Sequence, residues 1–134
     1  MSKSAIYTVN TSNQSVIPNG IISPGTIIRR FGPNVNLSGN GIQIDGAGYY
    51  KISVNATLTP TSAGTVGITV LKNNVAIQGA NASETIETAN TRVNLSISSI
   101  VREFCPCEDI SSLTFVLTGV ASNITNFVIV IEKI

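Results

Sequence analysis

Apolar and polar residues alternate with a period of two through several stretches of the chain. Tyr50, Ile52, Val54, Ala56 and Leu58 are apolar, and Lys51, Ser53, Asn55 and Thr57 between them are polar. Val66, Ile68 and Val70 repeat the pattern, as do Val93, Leu95 and Ile97, and then Leu113, Phe115 and Leu117. Successive side chains of a strand point to opposite faces, so each stretch predicts a strand with one face in a core. Asn73-Asn74 lies between the apolar runs Val70-Leu71 and Val75-Ala76-Ile77. Two residues that tolerate positive φ at that place predict a tight hairpin. Shorter strands are expected at Ala5–Asn10, Gly25–Arg30, Val35–Leu37 and Gly41–Ile44, punctuated by Pro18, Gly20, Pro24, Gly32 and Pro33. No stretch has the 3.6-residue periodicity of a three-turn amphipathic helix. About eight to ten short strands with frequent turns predict a β-sandwich of jelly-roll or immunoglobulin type.

The final apolar stretch breaks the alternation. Ile124–Ile131 reads I-T-N-F-V-I-V-I, with Val128 and Val130 on one face and Phe127, Ile129 and Ile131 on the other. A strand apolar on both faces is buried on both. One face packs in the sandwich, and the simplest cover for the other is a second copy of the chain. An exposed, aggregation-prone strand, or cover by the N-terminal segment, are the alternatives. The larger residues Phe127, Ile129 and Ile131 are assigned to the intersubunit face, because obligate interfaces favour large apolar and aromatic side chains. Val128 and Val130 are assigned to the protomer's own core. Glu132-Lys133 then ends the strand with charge, which blunts further pairing.

Composition agrees with an all-β chain. Isoleucine and valine together number 32 against 6 leucines, and β-branched side chains suit a pleated surface. The 134 residues suffice for one domain with one core, so residues 1–134 are expected to form a single unit, with 1–14 as an N-terminal arm or first strand. Eight basic and seven acidic residues leave a net charge of +1, without the excess of a nucleic-acid or anionic-membrane binder. No apolar h-region follows Met1, so no secretory signal is expected, and no apolar run is long enough for a membrane helix. Seven N-x-S/T triplets follow from the abundance of Asn, Ser and Thr, and without a signal peptide they do not predict glycosylation.

The order of these features resembles the trimeric jelly roll shared by tumour necrosis factor and the complement globular head, above all its bacterial and phage members. The resemblance rests on Asn40–Ile44, on Gly46-Ala47-Gly48-Tyr49-Tyr50-Lys51-Ile52-Ser53-Val54, and on Ala63-Gly64-Thr65-Val66. The Leu71-Lys72-Asn73-Asn74 hairpin, Ala80–Ser83 and the apolar final strand complete it. It implies a jelly-roll β-sandwich of about ten strands in two antiparallel sheets, with the sheet that holds the first and last strands facing a threefold axis. Relatives of this type cap collagen-like fibres on spores or form virion decorations and fibre tips. The chain has no Gly-X-Y repeat, which favours the virion over the spore surface.

Candidate chemistry is sparse. Histidine is absent, which removes the commonest general base and metal ligand. Cys105-Pro106-Cys107 is the one unusual motif. It is open to three readings: a proline-fixed turn with packed thiols, a disulfide, or a thiol metal site built by symmetry. Two cysteines one residue apart lack the four-ligand spacing of zinc, and an i, i+2 disulfide is sterically tight. Glu103, Glu108 and Asp109 are expected to be solvated rather than a calcium loop, since no D-x-D-x-D-G run exists. No carboxylate pair is singled out for glycosidase work, and with no Trp the chain is poor in platforms for stacking sugars. Arg29 and Arg30 point to opposite faces, as do Tyr49 and Tyr50, with Tyr50 expected in the core and Tyr49 at an intersubunit face.

These expectations combine into a non-enzymatic homotrimer without catalytic residues, metal or other cofactor. Its expected role is structural, as a capsid decoration or fibre-tip module of a bacteriophage virion made in the host cytoplasm. Its expected partners are itself and capsid or fibre proteins, with neither nucleic acid nor membrane. The alternatives are a module binding a host-surface glycan or protein, and a spore-surface cap.

Overall fold

β-Branched residues at alternate positions, separated by Asn and Gly turns, build eleven strands and no helix among the described residues. The structure, a computed structural model, describes residues 3–103 and 111–134. Its strands are β1 (Ala5–Asn10), β2 (Gln14–Val16), β3 (Thr26–Phe31), β4 (Val35–Ser38), β5 (Gly41–Ile44) and β6 (Gly48–Pro60). They continue with β7 (Gly64–Lys72), β8 (Val75–Ile86), β9 (Val93–Glu103), β10 (Ser111–Gly119) and β11 (Ser122–Lys133). Two antiparallel sheets result. The first has the order β3-β1-β11-β6-β9, with β2 also pairing β11, and the second has the order β4-β5-β10-β7-β8. This is a jelly-roll sandwich. The strand beyond the expected ten includes β2, a three-residue strand too short to show an alternation of its own.

The core lies between the sheets. Tyr50, Ile52, Val54, Ala56 and Leu58 of β6 all point into it, as do Val66, Ile68 and Val70 of β7 and Leu113, Phe115 and Leu117 of β10. Phe115 and Phe127 meet edge to face across the core, with ring centroids 5.7 Å apart. The Asn73-Asn74 turn has φ of 51° and 69°, the left-handed pair that a two-residue hairpin requires. At the end of β10, where the chain crosses from the second sheet to the first, Gly119 has φ of 83°, and a Cβ there would overlap the Thr65 carbonyl oxygen.

The faces of β11 are exchanged relative to the sequence expectation. Phe127, Ile129 and Ile131 are fully buried in the protomer's own core, and Val128 and Val130 lie on the outer surface of the first sheet. The cause is register. Ile129 pairs with Val54 and Ile131 with Ile52, and cross-strand partners share a face, so all four point inward. The bulky residues fill the inter-sheet space, where Phe115 waits for Phe127.

The edges of the sandwich are shaped against indiscriminate pairing. β8 is one long edge strand that runs from the Val75-Ala76-Ile77 stretch through Ala80–Ser83, and its residues 77–80 stand opposite the single residue Val70. Gly79, with φ of 82°, sits in this bulge. On the opposite side, Arg30 reaches from β3 of one sheet to β4 of the other, its Nε donating to the Val35 carbonyl at 2.6 Å.

Candidate functional site

With Phe127, Ile129 and Ile131 turned inward, the outer face of the first sheet is made by the residues between them. Three rows cross the strands β3-β1-β11-β6-β9. The first is Phe31, Ala5, Glu132, Lys51 and Ile100; the second is Arg29, Tyr7, Val130, Ser53 and Ser98; the third is Thr26, Val9, Val128, Asn55 and Ser96. The β1–β11 half is therefore apolar at its centre, through Tyr7, Val9, Val128 and Val130. Exposed Phe31 and Ile100 stand at the two ends of the first row. This stripe lies over the middle of the sheet, where a soluble monomer ordinarily presents polar residues to water.

The β6–β9 half is polar, but its side chains satisfy one another. Ser96 Oγ donates to Asn55 Oδ1 at 2.6 Å, and Thr57 Oγ1 donates to Asn94 Oδ1 at 2.9 Å. Polar groups already paired across neighbouring strands can be covered at a lower desolvation cost than unpaired ones. The face thus joins apolar area to pre-satisfied polar area.

Tyr49 lies on this outer face, about half exposed, with the Arg102 guanidinium carbon 5.7 Å from its ring centroid. Its neighbour Tyr50 points inward and is fully buried. The Tyr50 hydroxyl donates toward the Gly46 carbonyl at 2.7 Å and lies 3.2 Å from that of Asp45. Burial, with the negative charges of Glu103 and Asp45, pushes its phenol up to about 12. Arg29 shares the outer face with Tyr7, and Arg30 is the strap to β4.

A second polar group lies near the β7–β8 hairpin. Glu103 is buried, accepts a hydrogen bond from Ser111 Oγ at 2.8 Å and pairs with Lys72 at 3.2 Å. Asn73 accepts from the Ser112 amide through Oδ1 at 2.9 Å. These bonds fasten the ends of β9 and β10 to the hairpin. Glu103 is thus a buried structural carboxylate rather than the solvated one expected from sequence. Cys105 and Cys107, with Glu108 and Asp109, lie outside the described residues. Among the described residues no three Cys, Asp or Glu side chains gather as a metal site.

The sequence reading missed Tyr7 and Val9 as surface residues. The signal was present in Ile6-Tyr7-Thr8-Val9, where apolar side chains on both faces repeat the property noticed in the last strand.

Solved structures share this architecture over nearly the whole chain. Murine APRIL at pH 5.0 superposes with a TM-score of 0.74 at 10% identity, covering 99% of this chain and 100% of that one. The vertex protein P5 of phage PRD1 gives 0.67 at 18% identity, covering 98% and 96%. The globular domain of zebrafish complement 1qA gives 0.70 at 7% identity, also covering 98% and 96%. The fold is the TNF-like jelly roll. At these identities the likeness concerns the fold alone. No protein-family model and no curated protein sequence matches the chain.

Proposed function

We propose that the chain is a non-enzymatic structural protein of a bacteriophage virion, a homotrimer that decorates the capsid or tips a fibre. In this proposal the outer face of the first sheet surrounds the threefold axis. Tyr7, Val9, Val128 and Val130 supply the apolar contact, and Tyr49 lies on the same face. The observation that carries the assembly is that apolar stripe on β1 and β11, continuous with polar side chains that hydrogen-bond one another. A TNF-like jelly roll implies the threefold arrangement, and the heterologous contact closes a ring rather than a filament.

The virion reading is supported by the likeness to the vertex protein of phage PRD1 along nearly the full length of both chains. Its partners are then further copies of itself and the capsid or fibre proteins on which it sits. A surface dominated by Ser, Thr and Asn suits a particle component that must remain soluble at high local concentration. Peptide mass analysis of purified particles from the source phage tests this role. Stoichiometric recovery of the chain with the major capsid protein is expected, and its absence from intact particles would overturn the role.

A further inference from the structure

A cavity of about 120 Å³ opens at the side of the sandwich, where β3, β4 and β5 meet. Arg30, Pro33, Asn34, Asn36, Gln43 and Asp45 line it. Val35, Ile42 and Ile44 are buried inward, so Asn36 and Gln43, which face each other across β4 and β5, project from the outer surface of the second sheet. This is the side away from the proposed threefold axis, so the cavity stays accessible in the trimer.

Its walls are held by local bonds. Ser4 Oγ donates to Asn34 Oδ1 at 2.9 Å, the Asn34 side-chain amide donates to the Asp45 carbonyl, and the Asp45 amide donates to the Asn34 carbonyl at 2.8 Å. Arg30 is fixed through Nε on the Val35 carbonyl. The groups that remain are of another kind. The terminal nitrogens of Arg30, the amides of Asn36 and Gln43 and the carboxylate of Asp45 are not spent on other side chains among the described residues. Arg30 and Asp45 line one small cavity without forming an ion pair.

We infer that this cavity binds the terminal ring of a neutral, hydroxyl-rich glycan. The choice follows from the chemistry of the lining. One cation and one carboxylate leave the site with no net charge, so an anion meets Asp45 and a cation meets Arg30. A hydroxyl both donates and accepts, and so matches guanidinium, carboxylate and two primary amides at once. The volume is well below the roughly 300 Å³ at which drug-sized pockets begin, so the open cavity takes one edge of a single ring and not an extended oligosaccharide. No aromatic side chain lines the cavity, so the ring is gripped by its hydroxyl edge instead of stacking on a platform.

Side-chain amide resonances in ¹H–¹⁵N spectra of the intact protein test the inference. The probes are the methyl glycosides of glucose, galactose and mannose at millimolar concentration, with sorbitol as an open-chain polyol and glycine and inorganic phosphate as charged controls. At least one glycoside is expected to shift the Asn36 and Gln43 amides saturably. Gln43→Ala and Asn36→Ala, which remove no internal hydrogen bond of the sandwich, should each weaken that binding by about tenfold while leaving the melting temperature in place. Three results overturn it: no glycoside moves these amides, sorbitol moves them as strongly as any glycoside, or only glycine or phosphate does so. Self-association is measured separately, so failure here leaves the proposed trimer untouched.

Discussion

Two lysine substitutions on adjacent residues of β11 separate the protomer's core from the proposed intersubunit face. Val130 is 36% exposed in the protomer, between Tyr7 on β1 and Ser53 on β6. In Val130→Lys the aliphatic stem can lie over Tyr7 with its ammonium in water, so an isolated protomer should lose no more than about 0.5–1 kcal/mol. Around a threefold axis the same change brings three ammonium groups together. At about 8 Å separation and an effective dielectric near 20, each of the three pairs repels by about 2 kcal/mol. Desolvation adds several kcal/mol for each unpaired ion. The sum is of order 10 kcal/mol or more, enough to dissociate the assembly while leaving the fold intact. Ile129 is fully buried, and Ile129→Lys places the charge inside the sandwich beside Val54. That cost is comparable with the whole stability of an ordinary domain, about 5–15 kcal/mol, so the protomer itself should unfold. Sedimentation velocity with far-ultraviolet circular dichroism reads both outcomes. Val130→Lys should give a folded monomer and Ile129→Lys no native β signal. A Val130→Lys protein that sediments like the wild type would refute the interface assignment, and a well-folded Ile129→Lys would refute the assignment of faces.

Three smaller predictions use single groups. Thr8 Oγ1 is buried without a hydrogen-bond partner among the described residues, so Thr8→Val, which keeps the shape and removes the hydroxyl, should stabilise the protein by about 1 kcal/mol in urea unfolding. A loss of stability would show that the hydroxyl has a partner in solution. Tyr50 titrates at about 12 in the fold against 10.0 for the free side chain, so the folded state holds its proton where the unfolded state releases it. Stability should therefore decline from about pH 10 to pH 12, by about 3 kcal/mol in full, and Tyr50→Phe should remove that component of the alkaline slope, read by urea titration across the range. With no histidine in the chain, the melting temperature should stay within a few degrees between about pH 5.5 and 7.5.

Much of the sandwich was legible in the sequence, because one-sided burial writes itself as alternation. Tyr50 through Leu58 is the plainest case: every apolar member is in the core. The Asn73-Asn74 turn was legible for a different reason, since few other residues accept two consecutive positive φ angles. The two faces of β11 were not legible. When both faces are apolar, alternation no longer says which one is inside, and only pairing with β6 decides. The extra residue at Thr125, where that register shifts, lies beyond any local pattern. The cavity at β3, β4 and β5 was hidden in the same way. Arg30, Asn36, Gln43 and Asp45 come together only through the pairing of β4 with β5 and the strap from β3, and no spacing along the chain announces them.

In the proposed assembly the outer face of the first sheet holds three copies together. Sedimentation equilibrium of the wild-type chain at micromolar concentration measures this most directly. A single species of three times the 14.0 kDa chain mass is expected, reduced to one chain mass by Val130→Lys. A wild-type protein that remains at one chain mass across the concentration range would contradict it.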